Sequence, residues 1–579
     1  MATTLIRPTV SVEVETEEVS ATNGAVTLDA LTAPYALADV DLPLDASTSL
    51  EDLDPRDDTR VIITAGDATT GGTRTFDLGL RSREVDHQSK SVRLMLASDE
   101  ALLQDFAPLG QYLGALPYQS SLRAIVNYVL AKIGAALDPV GPDQDFTTYT
   151  DATNMIIDPG TASTSGGGYS SGNCAVDFND ASWSISGDGD SFNLYSPTNA
   201  DSFLIVGSSS GTRLSGLSDG KRYVFSATGN VKVAYTGTSL GDDSGDGNNG
   251  PVRRVRALVV HTRVGSGGYT IWHSQSVPNT INTPTRVSVE FTVPVGATEV
   301  FLRAYLGNTA GQIRWDGFRL SEKDDQPGAE NTDYFDGDTL DTAGYLYEWT
   351  GVKDNSTSKR IALIDRSPDL LVWEAGVTAW DFLSPLLTSV GYRLFCDEHR
   401  VWRLIDPAEY EVDGFVSIAG FNATRANDMI SRQDPQVFAT GVVVRYHWKD
   451  STTAEDRTAY DSAGTTEKVY VLDYERPYPG PGAAAAILAR RNGSGRTQDV
   501  TGLVNWIVTP GMTASITLPG VVEQQGKLSS VRFSLGDDGL MDVGTRGLID
   551  IPPGSWLDWD ETQAWTALLD TVTWNSLPA

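Results

Sequence analysis

The stretch TRVSVEFTVP, from Thr285 to Pro294, alternates apolar and polar side chains along its length. Its apolar residues stand at every second position: Val287, Val289, Phe291 and Val293. Because successive side chains of a β-strand point to opposite faces of the sheet, this spacing predicts a strand with one buried face.

The surrounding region, from about Asp151 to Asp333, is rich in Gly, Ser, Thr and Asn and has no helical period. Further strands are predicted at regular intervals: RYVFSATGNVKVAY (222–235), VRRVRALVVHTRV (252–264), GYTIWHSQSV (268–277), EVFLRAYLG (299–307) and QIRWDGFRL (312–320). This pattern fits a two-sheet β-sandwich over residues 151–333.

The flanking segments have a different pattern of predicted strands and helices. Residues 1–112 read as short alternating strands separated by Gly, Asp and Pro turns, which is typical of a small antiparallel barrel. A short helix is predicted in SDEALLQDF (98–106), with Ser98 as its cap. Two longer amphipathic helices are predicted, one in SSLRAIVNYVLAKIGAAL (120–137) and one that begins after Thr378 and stops at Gly391, followed by a hairpin. The inward side of the latter helix is predicted to hold Trp380, Leu383, Leu387 and Val390. Further strands occupy 411–551, and residues 552–579 form a tail that contains four Trp residues.

The bulk composition restricts the class of function. The 579 residues include 43 basic and 76 acidic side chains, a formal net charge of −33, which opposes tight binding to nucleic acid.

The chain is too long for one hydrophobic core, and its two Cys residues lie far apart in sequence, so we expect several domains and no disulfide framework. No secretory signal or membrane-spanning segment is predicted, and we expect synthesis in a cytoplasm.

Catalytic motifs are weak in this sequence. GSSSG (207–211) matches the nucleophile-elbow string but lacks a following helix, and GDGNNG (245–250) matches a dinucleotide string inside an acidic loop. We therefore predict no catalytic residues. Abundant carboxylates leave open the alternative of a cell-wall glycosidase or esterase, because glycoside hydrolysis needs only two suitably spaced carboxyl groups.

Two segments place carboxylates at spacings that a cation could use. In DGDSFN, the residues Asp188, Asp190 and Asn193 are candidate ligands for calcium, with an Asx-rich turn as the alternative. In YFDGDTLDTAGYLYEWTG (334–351), three carboxylates, Asp336, Asp338 and Asp341, precede an alternating aromatic strand. Their spacing misses the EF-hand pattern, so a turn at a domain boundary is the preferred interpretation of this second segment.

Aromatic side chains of the sandwich are candidates for stacking on sugar rings. If the aliphatic residues of EVFLRAYLG face the core, Arg303 and Tyr305 face outward. The other candidate sugar contacts are Trp183 in a predicted turn segment, and Tyr269 and Trp272 in GYTIWHSQSV. Each aromatic residue has the alternative of a place in the core or at its rim.

Several strings resemble the baseplate hub or minor tail proteins of long-tailed phages that infect actinobacteria. They are ADVDLPLDASTSLEDLDPRDDTRVIITAG (38–66), VRLMLASDEALLQDF (92–106), YFDGDTLDTAGYLYEWTGVKDNSTSKR (334–360), GLMDVGTRG (539–547) and TWNSL (573–577). Residues 151–333, from NMIIDPG (154–160) to IRWDGFRL (313–320), resemble jelly-roll carbohydrate-binding modules.

This resemblance implies a mainly β, multidomain architecture: two small antiparallel β-barrels (1–112 and 411–551), a mixed α/β domain (113–150 and 334–410), and an inserted β-sandwich. It implies a structural, non-enzymatic homotrimer in the virion, around the channel through which DNA leaves. The implied partners are other tail proteins (the distal tail ring, the tape measure and a central spike or fibre) and host surface glycans. The sandwich could instead contact neighbouring tail proteins.

Overall fold

The computed structural model describes most of the chain: residues 8–14, 17–19, 21, 23–44, 50–67, 72–157, 169–172, 174–177, 180–185, 191–196, 201–207, 213–234, 255–308, 310–323, 333–407, 410, 412–419, 423–430, 438–449, 456–493, 496–518, 522–536 and 538–550. It has two compact units, one from Met1–Thr147, Leu371–Trp448 and Arg457–Ala579, and the other from Thr148–Leu370 and Lys449–Asp456. The fold is mainly β and multidomain, as predicted. Among its described helices, none combines the length and apolar character needed to cross a membrane.

The first unit begins with seven strands and two helices: β1 (Pro8–Val14), β2 (Glu17–Val19), β3 (Asn23–Asp29), β4 (Ala36–Pro43), β5 (Arg60–Asp67), β6 (Thr73–Asp86), β7 (Ser91–Ala97), α1 (Glu100–Asp105) and α2 (Leu122–Leu130). The alternation of β4 explains its place in the sheet, because Ala36, Ala38, Val40 and Leu42 are all buried. In α2, Ser121 caps the first turn by accepting a hydrogen bond from the Ala124 N–H.

The second unit contains the strands β8 (Ala152–Asn154), β9 (Ser170–Gly172), β10 (Ala175–Asp177), β11 (Phe192–Ser196), β12 (Asp201–Val206), β13 (Arg222–Val233), β14 (Leu258–Val264), β15 (Thr270–His273), β16 (Thr285–Thr292), β17 (Ala297–Asn308), β18 (Gly311–Glu322), β19 (Tyr345–Trp349) and β20 (Ser358–Ala362). The first sandwich sheet has the order β10-β11-β18-β13-β16, and the second sandwich sheet has the order β15-β14-β17-β12-β9.

The predicted two-sheet sandwich is present. Val287, Val289, Phe291 and Val293 of the opening stretch are buried in its core, together with Leu302, Ala304 and Leu306 of β17. A third sheet, β19-β20-β8, extends this unit to Leu370, beyond the boundary at 333 that composition suggests, because β20 pairs with β8 at the start of the unit.

The chain then returns to the first unit with α3 (Ala379–Val390), β21 (Arg393–Cys396), β22 (Trp402–Ile405), β23 (Phe415–Ala419), β24 (Ala423–Ile430), β25 (Gly441–Lys449), β26 (Asp456–Gly464), β27 (Val469–Glu475), α4 (Ala483–Gly493), β28 (Arg496–Leu503), β29 (Thr513–Thr517), β30 (Gln524–Ser534) and β31 (Leu540–Asp550). The predicted cap at Thr378, the stop at Gly391 and the hairpin β21–β22 are confirmed. The Trp-rich tail predicted at 552–579 lies outside the described residues.

The prediction of two separate barrels is wrong for the described strands. β3 pairs with β4 on one side and with β30 on the other, in the antiparallel register Val26↔Phe533. The strands of 1–112 and most of those after 411 therefore share one 13-stranded sheet, and their buried residues form one hydrophobic cluster. The edge of β3, which would close the first barrel, pairs instead with β30 and so joins the N-terminal strands to the C-terminal strands.

Candidate functional site

The candidate site is the side of the second sandwich sheet that faces away from the sandwich core. Alternation along β17 sends Phe301, Arg303 and Tyr305 to this side, while Leu302 and Ala304 enter the core. β12 contributes Phe203, which lies directly across from Tyr305. Tyr269, immediately before β15, completes the set. We call these five residues the aromatic face.

Two aromatic pairs and one cation connect these side chains. The ring centroids of Phe203 and Tyr305 are 5.3 Å apart, and those of Tyr269 and Phe301 are 6.1 Å apart. The Arg303 guanidinium lies 4.2 Å from the centroid of Phe203 and 5.7 Å from that of Phe301. Its Nη1 donates to the Tyr305 hydroxyl at 3.1 Å. The Arg303 guanidinium is therefore in contact with two aromatic rings and one hydroxyl of the aromatic face.

Tyr269 is the exposed member of the aromatic face, with 37% of its surface accessible. Its hydroxyl donates to Glu299 at 2.6 Å, and the Arg263 guanidinium lies 4.7 Å from its ring centroid. Arg263 and Glu299 form an ion pair with each other. The only described carboxylate of β17 on this side is thus already bound to two protein groups, which does not suit it to act as a free general acid or base.

The structure corrects one predicted sugar contact, Tyr305, and shows the packing of another, Trp272. Tyr305 faces outward as the alternation predicts, but it is fully buried, because Phe203, Val259 and Ile271 pack around it in a small second cluster. Trp272 lies across from Val260 and packs against the sandwich core, so its indole does not reach the aromatic face. The buried Tyr305 ring is therefore not available for stacking on a sugar, whereas the half-buried Trp272 stays a predicted sugar contact.

Trp183 is half-buried and lies in a segment without strand structure, which agrees with the predicted turn segment. The same segment holds Asp180, a buried carboxylate that accepts from Lys232 at 2.7 Å and from Arg314 at 3.1 Å. Burial acts to raise the pKa of Asp180, but hydrogen bonds from Lys232, Ser182 and Arg314 outweigh it and hold that pKa below its usual range. Asp180 of this ion network lies within three residues of Trp183 in sequence.

The calcium prediction falls mostly outside the described residues, which exclude Asp188 and Asp190. Asn193 is buried in β11, where it lies across from Arg314 of β18 on one side and from Asp177 of β10 on the other. Over the described part of the chain, no group of three or more His, Cys, Asp or Glu side chains is arranged to hold a metal. The calcium site at Asp188, Asp190 and Asn193 stays a prediction.

The three carboxylates before β19 bind separate protein groups. Asp336 accepts from the Asp338 N–H at 2.9 Å and from the Thr339 hydroxyl at 3.0 Å, and Asp338 pairs with Lys353 at 2.7 Å. Asp341 accepts from the Tyr347 N–H at 3.0 Å. The bond from the Asp338 N–H to Asp336 is that of an Asx turn, which agrees with the predicted turn. The segment lies within the second unit, which continues to Leu370.

Phe203 and Phe301 are site residues that the sequence interpretation missed. Phe301 could have been found, because it continues the alternation of Arg303 and Tyr305 by one step toward the N-terminus. Phe203 could not, because only the pairing of β12 with β17 brings it beside Tyr305, about a hundred residues later in the chain.

The sequence matches no protein-family model and no curated protein. Two solved structures that are similar to it along most of its length are tail proteins. One is the tail protein from Neisseria meningitidis MC58, at 8% identity and a TM-score of 0.36, covering 93% of this chain and 96% of that chain. Another is the 43 kDa tail protein of prophage MuSo2 from Shewanella oneidensis, at 10% identity and a TM-score of 0.37, covering 93% and 97%.

Part of the chain is similar to carbohydrate-binding modules. The CBM22-1 xylan-binding domain from Paenibacillus barcinonensis matches at 11% identity and a TM-score of 0.21, covering 30% of this chain and 97% of that chain. Similarities at these identities and TM-scores assign no role to any residue of the aromatic face.

Proposed function

We propose that this chain is a structural protein of a phage tail tip, a trimeric hub around the DNA exit channel that displays a glycan-binding sandwich. The observation that carries the proposal is the insertion. β3 and β30, from opposite ends of the chain, pair directly, so the first unit completes its large sheet from segments that flank the second unit. The first unit is completed by segments on both sides of the inserted module. This arrangement suits a first unit that assembles with other tail proteins and a second unit that displays a binding surface.

The scaffold part of the proposal concerns other tail proteins: the distal tail ring, the tape measure, and a central spike or fibre. The acidic net charge of −33 suits a channel along which DNA passes without being bound. This role needs no catalytic group, and the hub is proposed as a non-enzymatic virion component made in the host cytoplasm.

Deleting the inserted module tests the scaffold role. The Tyr149 N–H donates to the Arg366 carbonyl at 2.8 Å, so the two chain segments meet there and a short linker can replace residues 150–365. We expect both the full chain and the deletion variant to form trimers, measured as particle mass in solution. The control inserts the same linker after Tyr149 without a deletion. A variant that is monomeric or aggregated would argue against an independent scaffold.

The display part rests on the aromatic face. Sugar rings present apolar C–H faces that stack on aromatic side chains, and Tyr269 is the ring of this face that is most open to a ligand. We expect Tyr269→Ala to weaken binding of the full chain to host surface polysaccharide by about tenfold, roughly 1.4 kcal/mol. Tyr195→Ala is a matched control, because Tyr195 is 43% exposed on the first sandwich sheet. Equal affinity of the two variants would contradict a sugar site on the aromatic face.

A further inference from the structure

Arg303 has an unusual environment for a charged side chain. It is half-buried in β17, between Val259 of β14 and Ile205 of β12, and both of these neighbours are at most 5% exposed. A cation placed among apolar side chains loses hydration, and such a charge is normally paired with a carboxylate. Across the described part of the chain, no carboxylate forms an ion pair with Arg303.

The other arginine on the same side of this sheet provides a comparison. Arg263 stacks on Tyr269 and is neutralised by Glu299, whereas Arg303 stacks on Phe203 and has no such partner. Among the described residues, the hydrogen bond that Arg303 makes goes to the neutral hydroxyl of Tyr305. Its Nε is buried and has no acceptor among the described groups. The guanidinium thus keeps both its positive charge and most of its donors uncommitted.

We propose that the aromatic face binds an acidic polysaccharide, with a carboxylate or phosphate of the glycan paired to Arg303. This inference rests on the proposed glycan-binding function and specifies its ligand class. A guanidinium is planar and presents parallel N–H donors, a geometry that fits carboxylate and phosphate oxygens in a bidentate pair. The rings of Phe203 and Phe301 hold that plane in place, which reduces the entropy lost when an anion binds.

The charge of the whole chain makes the local contact necessary. A net charge of −33 repels an approaching anion, so long-range attraction does not supply affinity for an acidic glycan. The affinity must come from the short-range pair at Arg303 in a partly desolvated setting, where an ion pair is weakened less by salt than it is on an open surface. Neutral sugars would use the aromatic rings alone.

The test compares charged and uncharged oligosaccharides of one backbone. We would measure binding of the full chain to an oligogalacturonate and to its methyl ester, which has the same sugars without the carboxylate charge. A parallel arm uses poly(glycerol phosphate), with inorganic phosphate as competitor, to separate a phosphate source from a uronate source. The proteins are wild type, Arg303→Gln, Arg303→Lys and Arg222→Gln. Arg222 is a half-exposed arginine of the first sandwich sheet and serves as the charge-matched control.

We expect wild type to bind at least one charged oligomer ten times more tightly than the uncharged ester. Arg303→Gln should lose this preference but keep its affinity for the ester, which shows that the face remains folded. Arg303→Lys should keep part of the preference, because an ammonium retains the charge without the bidentate geometry. Arg222→Gln should behave as wild type.

Equal binding of charged and uncharged oligomers by wild type would overturn the acidic ligand class and leave a neutral glycan site standing. A preference that persists in Arg303→Gln would overturn the role of Arg303. If wild type binds none of these oligomers while it still binds host polysaccharide, the acidic ligand class fails but glycan binding does not. If it binds neither, the glycan-binding function fails as well.

Discussion

Asn154 is a buried amide whose side chain makes four hydrogen bonds to backbone groups. Its Nδ2 donates to the carbonyls of Phe318 and Phe335, both at 3.0 Å, and its Oδ1 accepts from the N–H groups of Ile156 and Leu320, both at 3.2 Å. The residue has no exposed surface. One side chain therefore fixes the end of the sandwich to the segment that leads out of it.

We expect Asn154→Ala to lower the free energy of unfolding of the second unit by about 3 kcal/mol, because several buried backbone groups lose their partner. Chemical denaturation of the full chain, followed by tryptophan fluorescence, measures this change. Asn355→Ala is the control, since Asn355 is exposed and its removal should change stability by less than about 0.5 kcal/mol. A loss as small as that of the control would show that other groups replace these bonds.

Individual site residues were predictable from the sequence only where a local rule decides them. The alternation of β17 places Arg303 on the outer side correctly, because the period of two is fixed by the strand backbone. Alternation does not predict how exposed an outward side chain is. Tyr305 is buried because Phe203 and Ile271, from other strands, pack against it. β15 alternates in the same way. Alternation alone does not say which of its sides faces the core, and the pairing of Trp272 with Val260 of β14 decides this.

Among the elements, α1 begins with a buried carboxylate. Glu100 accepts from the Tyr35 N–H just before β4 and from the Ser98 hydroxyl at 3.0 Å, and its Oε1 lies 3.2 Å from Arg393 in β21. The sequence predicts Ser98 as the cap of this helix. Instead, the Ser98 hydroxyl accepts from the Ala36 N–H, and the helix is held to the strand and the hairpin through Glu100.

Burial raises the pKa of Glu100 from 4.5 to about 7, although Arg393 and the hydrogen bonds from Tyr35 and Ser98 oppose this shift. Between these two pH values the folded chain holds a proton that the unfolded chain has released. The contribution of this group to stability is therefore largest below pH 4.5 and decreases as the pH rises to about 7, by up to about 3 kcal/mol.

Glu100→Gln should remove this pH dependence, because an amide has no proton to release in this range. The stability of the variant relative to wild type should rise between pH 5 and pH 8, measured by chemical denaturation at each pH. Glu84→Gln, at an exposed position of β6, should show no such trend. Parallel curves for Glu100→Gln and wild type would mean that Glu100 titrates at its ordinary pKa.

Helix ends and strand identities were largely predictable, because caps, glycine stops and side-chain periods are local. Thr378 and Gly391 bound α3 as expected, with Gly391 at a φ of 78° that favours glycine. The predicted inward side of α3 is only partly right: Leu383 and Leu387 are buried, but Trp380 and Val390 are half-buried. Phe382, which is not among the predicted inward residues, is buried. α3 packs against α1, α2 and α4. Because it has several neighbours, its buried residues do not form one apolar stripe.

At the scale of the whole molecule, the chain combines a scaffold made of distant segments with a module made mostly of one continuous segment. The division follows the change in composition near residue 151, which the sequence shows directly. The joining of the predicted barrels into one sheet could not be read from the sequence, because β3 and β30 each look like ordinary strands and only their mutual pairing distinguishes one sheet from two.

The pairing of β3 with β30 also sets an order of events during synthesis. A ribosome that adds about 5–20 residues per second needs roughly 25–100 s to travel the roughly 500 residues between the two strands. The strands of the sandwich emerge earlier and within one stretch of chain, so the inserted module can fold while the scaffold is still incomplete. Until β30 arrives, β3 is an open strand edge, and chains cut short before Gln524 would carry that edge as a site for aggregation.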